Sequence, residues 1–152
     1  MLRIVKTGLD DPRVLDLLRV HFEACHAVTP PESAHVFDVS RLKDADVHFW
    51  SAWEGDTLMG VGALKCLDLE HGEVKSMHTS KEARRRGVGS AIVQHILTEA
   101  KQLGLKRLSL ETGSFGFFEP ARALYARHGF VLCEPFGDYQ HDPYSSFMTR
   151  EI

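Results

Sequence analysis

The residues of this chain best suited to chemistry form the run Arg84-Arg85-Arg86-Gly87-Val88-Gly89-Ser90. A helix N-terminus leaves amides unpaired and carries a partial positive charge, and glycines at its mouth let an anion reach the backbone. With a helix starting at Gly87, consecutive amides from Arg85 to Ser90 can ring a pyrophosphate. Two other glycine motifs are excluded by spacing. A Walker loop needs G-x-x-x-x-G-K-[ST] and a dinucleotide fingerprint needs G-x-G-x-x-G. No Lys-Ser/Thr pair follows Gly89, and Ile92 occupies the third glycine position. For such a turn seen alone, the plainer alternative is an exposed basic cluster at a helix end.

Nine histidines and three cysteines invite a metal reading. His21 and Cys25 stand at i and i+4, with His71, His78 and His141 elsewhere, but no H-E-x-x-H or paired-cysteine spacing occurs, so no metal is expected. Cys25, Cys66 and Cys133 include no C-x-x-C pair and read as reduced, mostly buried thiols, with Cys66 and Cys133 inert inside apolar strands.

At 152 residues, with 43% hydrophobic and 26% charged, the expectation is one domain over residues 1–152. A net charge of -3 gives no long-range attraction to nucleic acid or an anionic membrane, so anion binding has to be local. The opening MLRIVKTGLDD lacks the apolar stretch of a signal peptide, and no run of about 18 apolar residues occurs, which points to a cytoplasmic protein without a membrane partner.

The elements that must hold the glycine turn follow from periodicity. Residues 2–7 alternate as a strand, and Asp11-Pro12 opens a helix carrying Val14, Leu15, Leu17, Leu18, Phe22 and Cys25, which stops at Pro30-Pro31. A short helix is expected near 37–43. A hairpin follows, with strands 46–54 and 57–68 joined at Gly55-Asp56, and another turn at 70–72 leads into a strand over 73–79. Phe49, Trp50 and Trp53 suit the faces of a sheet. The helix after the glycine turn runs to Leu103, with Val88, Ile92, Ile96 and Leu103 on its buried side. A strand over 107–112, a helix from Pro120 to Gly129, and strands 130–133 and 146–152 complete a mixed α/β (α+β) pattern.

Arg84-x-x-Gly87-x-Gly89 resembles the coenzyme A pyrophosphate loop of GNAT acetyltransferases, and Ala121-Arg122-Ala123-Leu124-Tyr125-Ala126-Arg127-His128-Gly129-Phe130 resembles that family's late segment A-x-x-L-Y-x-x-x-G-F. The resemblance spans about residues 46–150. The segments PPES, FWSAWEG, GALK, HGEVKSM, SLETG, FEPAR, CEPF, DY and SFM are similar to a bacterial subgroup of YsnE-type acetyltransferases. The resemblance implies a GNAT fold: a twisted mixed sheet of about seven strands, its central strands splayed, with helices on both faces. It also implies acetyl-CoA as cosubstrate and direct acetyl transfer to a primary amine of a small molecule or peptide.

The resemblance further implies site residues. Ser76, Met77, His78 and Thr79 would lend backbone groups to the pantetheine arm, and Met77 N–H would donate to the thioester carbonyl. Tyr125 would be the general acid for the departing thiolate. Direct transfer needs an unprotonated amine, whose pKa is ordinarily about 10, so a base is required. Glu73 is the first candidate and Glu111 the second; either would serve equally as an ordinary strand-end carboxylate. Phe118 stands where many family members carry Asn, and Ser114 or Thr112 would have to replace that contact.

Acceptor specificity is expected from the N-terminal helices, their loop and the final hairpin, with Glu32, Ser33 and His35 as contacts and Lys75 or Arg41 for an acceptor carboxylate. An exposed late strand would suit a homodimer formed by sheet or helix pairing. Two other readings use the same residues. One is a non-catalytic acyl-CoA-binding or sensing domain, and the other is a nucleic-acid module built on the arginine cluster, which the net charge of -3 opposes.

Overall fold

Asp11 starts the first helix by accepting the Arg13 amide on Oδ1 at 2.8 Å, with Pro12 in the first helical position. In the computed structural model, which describes residues 2–28 and 42–152, this helix is α1 (Pro12–Val28) and follows β1 (Leu2–Lys6). It packs Val14 and Leu18 against Phe49, Trp53, Val61 and Ala63, while Leu15 faces solvent. The short helix expected near 37–43 falls mostly outside the described residues, as do Glu32, Ser33, His35 and Arg41.

β2 (Val47–Glu54) and β3 (Thr57–Cys66) form the expected hairpin, turned at Gly55 with φ +58°. β4 (His71–Thr79) begins before the expected Glu73. Asp68 Oδ1 accepts the amides of Glu70 and His71 at 2.8 Å each, which tightens the turn and releases His71 and Gly72 into the strand. After the glycine turn come α2 (Val88–Gln102), β5 (Arg107–Gly113), α3 (Glu119–Arg127), β6 (Val131–Cys133) and β7 (Ser145–Glu151).

The strands form one seven-stranded sheet in the order β1-β2-β3-β4-β5-β7-β6. All neighbours are antiparallel except β4 and β5. Strand alternation divides the core between two faces. Val61 and Ala63 look toward α1, while Leu64, Val74, Leu108, Leu110 and Met148 meet Ile92, Val93 and Ile96 of α2 and Tyr125 of α3. Leu103 departs from its expected place on the buried side: the helix ends at Gln102, Leu103 is 46% exposed, and Leu105 enters the core instead.

The cysteines are also less buried than expected. All three are half-buried rather than enclosed, because Cys66 ends its strand and Cys133 ends the short edge strand β6. Burial still pushes each thiol up, Cys25 to about 11, so none is a ready nucleophile.

Candidate active site

β4 and β5 are registered at only three pairs, His71–Arg107, Gly72–Leu108 and Glu73–Ser109. β4 then runs on to Thr79 and β5 to Gly113 without a shared register, so the strands splay from a vertex at Glu73 and Ser109. A bulge helps turn β4 away. Val61 pairs with His78 and Ala63 with Lys75, leaving Ser76 and Met77 opposite Gly62, with Ser76 at φ +57°. A side chain at Gly62 would not fit there, since its Cβ would lie 2.6 Å from Ile92 Cγ2 and 2.8 Å from Met77 Sδ. Ser76 Oγ is buried without a hydrogen-bond partner among the described residues.

The open end of the splay leads into the glycine turn. Thr79 ends β4, a 3-10 turn covers Lys81–Ala83, and the chain passes through left-handed conformations at Arg85 (φ +66°) and Gly87 (φ +78°) into α2. Left-handed residues in such a turn help to make a concave row of amides suited to anions. Gly87 is the N-cap without a side-chain cap, and the first helical bond runs from Ala91 N–H to Gly87 O, so the amides of Val88, Gly89 and Ser90 precede the helix ladder. Nothing lies within 4 Å of a Cβ built at Gly87, whereas one built at Gly89 would sit 3.1 Å from Leu124 of α3.

Arg84, Arg85 and Arg86 are exposed around this turn, with Arg86 3.7 Å from Glu54. Two expected cofactor contacts have other partners. Ser90 Oγ lies 2.6 Å from His128 Nε2, and Ser114 Oγ donates to Pro143 O. The ring at 118 fills space instead of bonding: it covers Gly113 so closely that a Cβ there would lie 1.9 Å from Phe118 Cδ2.

Tyr125 is 6% exposed and packs edge-on to Phe130. Burial pushes its phenol well above the ordinary range, which keeps the proton on oxygen at neutral pH. Leu124, its neighbour, meets Gly89, so the helix that carries the tyrosine rests on the glycine turn.

On the α1 face of the vertex stand Glu73, Lys75 and Glu111, which strand alternation brings together from β4 and β5. Glu73 is 5% exposed; Oε2 accepts from Tyr139 Oη at 2.6 Å, and Lys75 Nζ lies 3.7 Å from Oε1. Glu111 is raised to about 7, first by burial and then by the Glu73 and Asp142 charges, against the lowering effect of Ser145 and Lys75. On the same face His78 meets His21 of α1, Nδ1 to Nδ1 at 3.0 Å. Burial holds both imidazoles near 4, with the His78 charge adding at His21 and Arg84 adding at His78. Among the described residues no group of three or more His, Cys, Asp or Glu side chains is placed to hold a metal ion.

Tyr139 and His21 were not singled out by the sequence as parts of this face. His21 was weighed only as half of a metal pair with Cys25, and Tyr139 lies in the loop between β6 and β7; its signal was the matched segment Asp138-Tyr139.

A seven-stranded sheet that splays beside a glycine-lined helix N-terminus gives a mixed α/β fold with a cleft that ends on an anion-receiving turn. The model of the Acetyltransferase (GNAT) family matches residues 12–130. The uncharacterized N-acetyltransferase YsnE of Bacillus subtilis is 51% identical over 92% of this chain and 93% of its own length. The uncharacterized N-acetyltransferase YedL of Escherichia coli is 48% identical over 100% of this chain and 96% of its own length. A GNAT family acetyltransferase from Elizabethkingia anophelis, solved with acetyl-CoA bound, superposes with a TM-score of 0.73 at 18% identity, covering 99% of this chain and 98% of that one. The chain belongs to the GNAT acetyltransferase family.

Proposed function

We propose that this protein transfers the acetyl group of acetyl-CoA directly to a primary amine of a small molecule or peptide. The observation that carries the reading is the continuity of the splay with the glycine turn. A pyrophosphate seated on the amides from Arg85 to Ser90, within reach of Arg84 and Arg86, directs the pantetheine arm along β4 from Thr79 toward the vertex carboxylates. The acetyl-CoA bound in the related fold from Elizabethkingia anophelis supports the same cosubstrate.

Acetyl-CoA supplies an activated acetyl group as a thioester; the chain's own residues orient it and move protons. Ser76, Met77, His78 and Thr79 hold the arm by backbone groups, with Met77 N–H on the thioester carbonyl oxygen, where negative charge grows on attack. As the new N–C bond forms, a vertex carboxylate, Glu73 or Glu111, takes the amine's proton. As the C–S bond breaks, Tyr125 Oη gives its proton to sulfur. Lys75, only partly engaged by Glu73 at 3.7 Å, can meet an acceptor carboxylate.

The test is a thiol-release screen of amines with acetyl-CoA. Release that depends on the amine, with a product heavier by one acetyl group, supports the reading. Coenzyme A binding without turnover across a broad panel would instead mark a sensing domain.

A further inference from the structure

We propose that His128 is a positioning residue for coenzyme A: by donating its Nε2 proton to Ser90 Oγ it frees the Ser90 hydroxyl proton for a pyrophosphate oxygen seated on the glycine turn. The assignment rests on the cosubstrate reading above and adds to that site a residue 38 positions away from Ser90.

Ser90 follows Val88 and Gly89 in the first turn of α2, and its amide precedes the helix ladder. Its side chain is half-buried, with Oγ 2.6 Å from His128 Nε2. The imidazole is presented by a pinned stretch of backbone. His128 is the C-cap of α3; its amide donates to Tyr125 O at 3.0 Å, and its carbonyl accepts from Arg150 Nη1 of β7 at 2.9 Å. At Gly129, which follows with φ +87°, an added Cβ would lie 3.3 Å from Arg150 Cδ. Leu124 of the same helix meets Gly89, so α3 touches the glycine turn through both Leu124 and His128.

A hydroxyl has one proton to give and lone pairs that accept, and a neutral imidazole carries its proton on one nitrogen alone. With Nε2 bare, Ser90 gives its proton to the ring and turns only lone pairs outward, where they repel phosphate oxygens. With Nε2 protonated, Ser90 Oγ accepts from the ring and its own proton is free for the anion. The imidazolium also holds a proton on Nε2 and adds a positive charge. Hydrogen bonds to an anion are the stronger kind, so a bound pyrophosphate selects the forms with Nε2 protonated.

The charged groups that act on the ring are Arg127 of α3 and Arg150 of β7, and the facing group on α2 is the Ser90 hydroxyl. Burial, followed by these two cations, holds the imidazole below its ordinary value, so the anion meets a neutral ring at pH 7. A phosphate beside Ser90 opposes the effect of both arginines. Coenzyme A binding therefore draws protons onto His128 near neutrality.

Two measurements test this on the full chain. The first is coenzyme A affinity by calorimetry. Ser90→Ala and His128→Phe should each weaken binding about ten-fold, as for one hydrogen bond to a charged group. The double variant should lose no more than either single, because the two side chains act as one unit. His128→Gln, whose amide offers a donor where Nε2 stands, should restore most of the affinity. Single effects that add, or a His128→Gln no better than His128→Phe, would overturn the role of Nε2. The losses should be equal for 3′-dephospho-coenzyme A; losses confined to coenzyme A would move the contact to the 3′-phosphate and refute the pyrophosphate assignment.

The second measurement is made on the wild type, so it does not depend on a variant that folds well. Long-range 1H–15N spectra of the histidine rings, with His128 assigned by its absence in His128→Gln, report which nitrogen is protonated. With coenzyme A bound, Nε2 should carry a proton, and the titration midpoint of the ring should rise by about one unit over the free protein. A bare Nε2 in the complex, or an unmoved midpoint, would sink the proposal. No coenzyme A binding at all would remove the cosubstrate reading with it, whereas normal binding with His128 unaffected would remove the role of His128 alone.

Discussion

His21 of α1 and His78 of β4 share a half-buried contact, Nδ1 to Nδ1 at 3.0 Å, that has room for one proton between the facing nitrogens. Both titrate near 4 in the folded protein, below the ordinary 6.5 that they regain on unfolding. Between those values the unfolded chain binds more protons, so stability rises with pH across the window and is lost as pH falls from about 6.5 toward 4. Thermal melts should show that loss, and His78→Gln should make it shallower. Equal pH slopes in the variant and the wild type would remove this pair as the cause.

Gly62 faces the bulge from β3 and has no space for a methyl group between Ile92 and Met77. Gly62→Ala should destabilise the fold by about 1–3 kcal/mol through overpacking. Because Met77 has to yield together with Ile92, acetyl transfer should fall more than coenzyme A binding. Denaturant unfolding and the two assays give the comparison.

At the glycine turn, coenzyme A in about hundred-fold excess over Kd should stabilise the wild type by about 2.7 kcal/mol. For a chain of this size that corresponds to a rise in Tm of about 5–10 °C. Gly87 has open space around it but a φ of +78°, which a β-branched residue adopts only with strain. Gly87→Val should cancel most of the ligand-dependent rise, measured against its own unliganded melt; an undiminished rise would place the pyrophosphate elsewhere.

Removal of one oxygen tests the acid. Tyr125→Phe keeps the ring against Phe130, so the coenzyme A-dependent Tm rise should survive while kcat falls about 100-fold or more, within the range for lost proton transfer. A kcat within a few-fold of wild type would point to water as the proton donor.

The glycine turn and the succession of strands and helices along the chain could be read from the sequence because they depend on local rules. Glycines with positive φ, a proline at the first helical turn and alternating burial leave marks within a few residues of where they act. Leu103 misled because periodicity carries no information on where a helix stops, and Leu105 competes for the same core space. Ser90 and Ser114 were judged by position in a motif, yet their hydroxyls bond to His128 and to Pro143, 38 and 29 residues away. The meeting of Tyr139 with Glu73 spans 66 residues and depends on β7 lying between β5 and β6, a topology that no local pattern announces.

The three-pair seam between β4 and β5 also bears on solubility. Beyond Glu73 and Ser109 each strand presents to the gap a row of backbone donors and acceptors that no neighbouring strand among the described residues pairs, so the sheet has open edges in its interior as well as at its margins. Such edges recruit extended segments from other chains. A cosubstrate threaded through the gap would act as a stopper against self-association, so the protein stored without coenzyme A should aggregate sooner than the same protein kept saturated with it.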